Sequence, residues 1–169
     1  MRKGLPQAIA AVNGLRQLGH AARLLVIGGT ERTIAEFRQR MRREGLPEDF
    51  VRFAGMVSPP EQHFAAGDAF LFPSHFEAFS LVEIEAAALG MRLYLTDHPG
   101  SEMILREGVN GKILPWDVPG MTRLLDEEIR SGLLKQPHHE MGEALTPDAY
   151  AIQLSRLFSQ AIERKCTHP

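Results

Sequence analysis

The chain has 169 residues, 44% of them hydrophobic and 24% charged, with a formal net charge of −2; this suits one compact soluble domain with a substantial core and excludes disorder and coiled coil. No apolar run approaches the roughly 20 residues that span a bilayer, and the N-terminus lacks the apolar stretch of a secretory signal. The lone Cys166 offers neither a disulfide framework nor a metal set, so a cytoplasmic location is expected.

The charge is unevenly spread. Residues 1–52 carry ten Lys/Arg against five Asp/Glu, and the remainder nine against sixteen. A basic face can meet phosphates, an anionic membrane surface or an acidic partner. Here, however, Arg38, Arg40, Arg42 and Arg43 fall in one helix-like stretch, and a solvated helix face is the simpler reading.

In chain order, a helix-like segment near 5–18 comes first, followed by a short apolar run at 22–29, a helix near 30–44 and a second run at 51–57. A helix near 60–66, a run at 68–74, a helix near 80–89, a run at 91–97 and a helix near 100–106 follow. A run at 110–115 and helices near 118–131 and 147–164 complete the chain. The apolar runs are bounded by Gly, Pro, Ser or Asp and read as buried strands. Such alternation predicts an α/β, Rossmann-like parallel sheet covered by helices on both faces. A domain of this kind normally begins with a strand, so a first strand and a preceding domain are expected to be missing ahead of residue 5. The stretch at 131–147 reads as a surface connection.

Ligands of such folds bind beyond the carboxyl ends of the strands, where loops enter helix N-termini. The segment "SHFEAFSLVEIEAA", residues 74–87, places three glutamates there. With Ser80 as N-cap, Glu83 falls at N3 of a capping box, and Phe79 with Ile84 would form its hydrophobic staple. Glu85 lies about 200° around the helix from Glu83. Since its neighbours from Leu81 to Leu89 are otherwise apolar, it is expected on an inward face, needing donors from the fold or from a ligand. Glu77 should project from the loop into the crevice, beside the free N–H groups of the helix at 80–83, which make an anion site. A carboxylate beside an anion site suits a ligand with both phosphates and hydroxyls, such as a nucleotide sugar.

Residues 70–114 resemble the donor-binding half of retaining glycosyltransferases of family 4, enzymes of the two-domain GT-B fold. The resemblance rests on the E-x7-E spacing of Glu77 and Glu85, Pro73-Ser74 before it, and Glu85-Ala86 followed by Gly90. "TDHPGSEMI" and "EGVNGKIL" continue it, and "ARLLVIGG", "VRFAGMV" and the "RKG" at 2–4 extend it upstream to about residues 2–131. It implies a single nucleotide-sugar-binding domain over 1–169, with the N-terminal acceptor domain absent.

By this resemblance Glu85 would bind the ribose hydroxyls, Glu77 would hold hydroxyls of the transferred sugar, and the backbone N–H groups of Phe79, Ser80 and Leu81 would contact the diphosphate or sugar. Lys3, assisted by Arg2, would neutralise the diphosphate leaving group, and Met56 and Val57 would border the nucleobase. Ala78 and Ser80 stand where the family commonly has glycines, which puts the donor's identity in question. The implied reaction is retaining transfer of a sugar from a nucleotide diphosphate to an acceptor hydroxyl. The implied acceptor is a cell-envelope or lipid-linked glycan, reached through the missing domain at the inner face of the membrane.

No cofactor or metal is expected, and no nucleic acid. His98, His138 and His139 lack a converging ligand set and are expected to be exposed. A rival reading is a binding or scaffold module that holds a nucleotide sugar without catalysis; a third is an interaction domain with a ligand that is not a nucleotide.

Overall fold

The computed structural model describes residues 3–58, 60–77 and 80–135. In it α1 (Leu5–Gln17), β1 (Leu24–Ile27), α2 (Glu31–Arg43), β2 (Val51–Gly55), α3 (Glu61–Phe64) and β3 (Ala69–Phe72) alternate. The series continues with α4 (Leu81–Ala88), β4 (Arg92–Thr96), α5 (Ser101–Ile104), β5 (Gly111–Leu114) and α6 (Val118–Arg130). All five strands and these six helices fall within about two residues of the places their patterns predict. A 3-10 turn at Leu133–Lys135 opens the segment read as a plain connection. The helix expected near 147–164, His138, His139 and Cys166 lie outside the described residues, as do Arg2, Ala78 and Phe79.

The expected α/β order of parallel strands covered by helices is present, every strand pairing among the described residues being parallel, but the strands fall into two sheets where one was anticipated. They form a two-stranded sheet, β1-β2, and a three-stranded one, β3-β4-β5, with no hydrogen-bonded ladder joining β1 to β3. The two sheets share core clusters instead: Ile27 of β1 and Phe70 and Phe72 of β3 border one cluster, and Leu24, Val26 and Leu71 border another. The exposure of the strands records it as well, since every residue of β1 and β3 is half-buried while β4, bonded on both edges, is buried throughout.

The two-residue period of a strand sorts side chains between two helical layers. Phe70 and Phe72 of β3 with Leu93 and Leu95 of β4 face α4 and α5, where they meet Ala86, Ala87 and Ile104. Leu71 and Tyr94 face the other way, onto Ala11 and Leu15 of α1 and Met121 and Leu125 of α6. The amphipathic α2 buries Phe37 and Met41 and turns its arginines outward. There Arg32 pairs with Glu36, Arg40 with Glu44, and Arg38 and Arg42 both with Glu48, so these four cations of the basic face are a solvated helix surface with its own counter-ions.

Among the described residues, two helices carry side-chain caps: Thr30 accepts from the Thr33 N–H at 3.3 Å, and Asp117 from the Gly120 N–H at 2.7 Å. Helix α4 differs. Ser80 is its N-cap residue but makes no side-chain capping bond, which matters for the site.

Candidate functional site

The carboxyl ends of β3 and β4 lie side by side because the register pairs Phe72 with Leu95. The loops that follow are tied together by Thr96, whose hydroxyl donates to the Ser74 carbonyl. Ser74 is fully buried, and its hydroxyl stands 3.2 Å from Oε1 of Glu77 and 3.4 Å from the Phe76 carbonyl oxygen. Glu77 is held in this way with only 7% of its surface exposed. Such a buried carboxylate requires a counter-charge, and Lys3 supplies it: Nζ donates to Oε1 of Glu77 and lies 5.1 Å from the centre of the Phe72 ring.

The lysine comes from far away in sequence, carried to the end of β3 by Gly4. That glycine has φ +67°, and a Cβ built on it would stand 1.7 Å from the Pro73 carbonyl oxygen. The chain therefore brings Lys3 and Glu77 together by a backbone contact that only glycine permits. Lys3 remains half exposed, so its ammonium can also meet a ligand.

Helix α4 rises next to this pair, and here the structure reverses two expectations. Glu83 forms no capping box. It is 0% exposed, and Oε1 accepts from Nε2 of His98 at 3.1 Å. Nδ1 of His98 in turn accepts from the Gly100 backbone N–H at 3.3 Å, which puts the ring proton on Nε2. His98 is accordingly buried, not exposed.

Glu85, expected to face inward, is exposed with Leu81, Val82, Ala88 and Leu89 on the outer face of α4. The angular separation of the two glutamates is as predicted, but their faces are exchanged. The apolar composition of the helix misled, because its outer side is itself apolar. An exposed Glu85 needs no donors from the fold and is free to meet a ligand.

Burial, then the Glu77 carboxylate, push Glu83 up to about 7, against the opposing influence of Lys3 and the Ser80 hydroxyl. Burial likewise lowers His98 below its ordinary value. Ser80 is buried at the N-terminus of α4, and Leu81 is exposed beside it. On the β1-β2 side of the break, Gly28 donates to the Gly55 carbonyl at 2.7 Å, stitching the loop after β1 to the end of β2. Beyond it Met56 is 79% exposed and Val57 half-buried. Met56 and Val57, Lys3 with Glu77, and the α4 N-terminus are thus three separate contributions at the strand ends. Sequence reasoning assigned no role to Ser74, Thr96 or His98, although the first two follow Pro73 and Leu95 at the ends of paired strands, a signal of adjacency. Among the described residues no group of three or more His, Cys, Asp or Glu is placed to hold a metal, and no helix is long and apolar enough to cross a membrane.

The chain that carries this arrangement has relatives of known family. The chain belongs to the glycosyl transferases group 1 family, whose model matches residues 1–130. It is 33% identical over 122 residues to the glycogen synthase of Mycobacterium tuberculosis, covering 70% of this chain and 29% of that protein. It is 28% identical over 123 residues to the D-inositol 3-phosphate glycosyltransferase of Thermobispora bispora, covering 69% and 29%. The chain thus spans under a third of the length of these curated relatives.

Solved structures share its fold. TarM superposes with a TM-score of 0.76 at 15% identity, covering 92% of this chain and 32% of TarM. Anabaena Alr3699/HepE in complex with UDP gives 0.72 at 21% identity, covering 96% and 45%. The chain has the fold of the C-terminal half of a GT-B glycosyltransferase.

Proposed function

We propose that this chain is the donor-binding half of a retaining glycosyltransferase of family 4, taking a sugar from a nucleotide diphosphate to an acceptor hydroxyl. The observation that carries this reading is the Lys3–Glu77 pair, fixed by Ser74 and Gly4 beside the N-terminus of α4. Such a site offers a cation and helix N–H groups to a diphosphate and a carboxylate to sugar hydroxyls. Family membership and the UDP bound to Anabaena Alr3699/HepE support a nucleotide sugar as ligand.

In the proposed mechanism Lys3 and the α4 N-terminus neutralise the negative charge that grows on the departing diphosphate, which lowers the barrier to cleavage of the sugar–phosphate bond. Glu77 orients the sugar, and Glu85 on the outward face of α4 holds the ribose. Ser80 and Leu81 meet the sugar–diphosphate end, a role the resemblance also gives to Ala78 and Phe79; Met56 and Val57 border the base. No metal enters this scheme. The acceptor, a cell-envelope or lipid-linked glycan, would be brought by an N-terminal domain, at the cytoplasmic face of a membrane.

Calorimetric titration of the 169-residue chain with UDP, GDP and ADP tests the reading. The expected result is weak binding of one nucleotide, reduced about tenfold or more by Glu85→Ala through loss of charge-assisted hydrogen bonds to ribose. Equal binding by the parent and the variant would sink the ribose assignment. Binding with no sugar transfer, when the chain is joined to an acceptor domain, would favour the scaffold reading instead.

A further inference from the structure

Beneath the proposed donor site lies a pair that the mechanism above does not use. Glu83 occupies the third position of α4, within its first turn. It is fully buried, its Oε1 takes the His98 proton, and its Oε2 has no hydrogen-bond partner. The imidazole is anchored by the Gly100 N–H to the loop between β4 and α5. The charged and titratable groups acting on the pair are Glu77 from the β3–α4 loop, Lys3 ahead of α1, and Asp97 from the β4–α5 loop, with the Ser80 hydroxyl facing Glu83. An ionised carboxylate in the first turn of a helix occupies the positive end of its dipole and adds a second negative charge near Glu77. It therefore competes with any anion bound from outside.

We propose that Glu83 and His98 are positioning residues of the donor site: His98 clamps the Glu83 carboxyl in the first turn of α4, and the charge on that carboxyl sets how strongly the helix N-terminus and Lys3 hold the donor's diphosphate. The inference rests on the donor-site reading above. When Glu83 is protonated, its proton sits on the unpartnered Oε2, because Oε1 accepts from His98. The turn is then neutral and binds the diphosphate best. When Glu83 is ionised, binding weakens. By linkage, binding of the diphosphate favours the protonated acid, so the complex takes up a fraction of a proton from solvent near neutral pH.

The test is calorimetric titration of the chain and of Glu83→Gln with UDP-glucose, whose diphosphate diester stays fully ionised from pH 5.5 to 8.5. The dissociation constant of the parent is expected to rise at least about fivefold between pH 6 and pH 8, in the range of ordinary coupling between sites. Glu83→Gln should bind with a nearly flat profile, because the amide still accepts from His98 and cannot ionise. A second measurement needs no variant: in the parent labelled with 13C at glutamate carboxyls, one buried carboxyl should titrate near neutrality and move to higher pH when UDP-glucose is added.

A pH slope that persists in Glu83→Gln, or a carboxyl whose midpoint ignores the ligand, would overturn the inference and leave the donor-site reading standing. Absence of binding by both proteins at every pH, with GDP-mannose and ADP-glucose titrated alongside UDP-glucose, would overturn the inference together with the reading beneath it.

Discussion

Gly4 enters α1 with a left-handed φ of +67° and its Cα pressed against the Pro73 carbonyl. Alanine there would suffer both the steric cost of that backbone region and a collision with main chain that cannot swing aside. Gly4→Ala is expected to cost about 3 kcal/mol, lowering the melting temperature by roughly 10 °C, and to separate Lys3 from Glu77. A scanning melt by circular dichroism checks the first outcome. Arg92 shows the opposite kind of residue, a buried cation held against its counter-charge: Nε donates to Oε2 of Glu128 at 2.8 Å, and the Tyr94 hydroxyl donates to the same oxygen. Glu128→Leu leaves that guanidinium without its counter-charge and is expected to destabilise by about 3–5 kcal/mol, read by urea denaturation. At this scale the sequence was least legible. Arg92 inside "MRLYLTD" signalled a buried partner without naming it, and the exchange of faces between Glu83 and Glu85 depended on which side of α4 met Phe70 and Phe72, a tertiary fact.

Among the elements, caps and pairings divide into those that secure the scaffold and those given over to the site. Thr30 and Asp117 cap α2 and α6 through their side chains, and each is expected to cost about 1 kcal/mol when changed to alanine. Thermal melts of the two variants measure it. The ion network joining β4, β5 and α6 adds a dependence on pH. Burial pushes Glu128 up, but hydrogen bonds from Tyr94, Arg92 and Lys112 outweigh it and hold the carboxyl below its ordinary 4.5. The unfolded chain therefore binds this proton more readily than the folded one. The contribution is complete above about pH 4.5 and is lost as pH falls through the lower folded-state value. Melts below pH 5 should show a loss of stability that Glu128→Gln, already weakened at neutral pH, shows less steeply.

Elements were well legible in the sequence, because apolar periodicity and Gly, Pro and Asp punctuation are local signals. The E-x7-E spacing put Glu77 on the loop after β3 and Glu85 within α4, and both stand there in the fold. The burial of α4 was not legible, since an apolar helix looks the same whether one side or both sides are covered.

For the molecule as a whole, the decisive feature is the break between β1 and β3. Parallel alternation suggested one continuous sheet, and the sequence held no sign that the ladder would stop, because main-chain pairing leaves no mark of its own in residue types. Strands hydrogen-bonded along one edge only should open more readily than a strand bonded on both edges. Amide hydrogen exchange is therefore expected to protect Leu93–Thr96 more than Leu24–Ile27, and equal protection would contradict it. The break also runs through the proposed ligand's footprint. Met56 and Val57 extend from the β1-β2 side, whereas Glu77, Ser80 and Glu85 belong to the β3-β4-β5 side. A nucleotide sugar spanning both would act as a rivet across a seam, slowing exchange at β1 although it touches none of that strand.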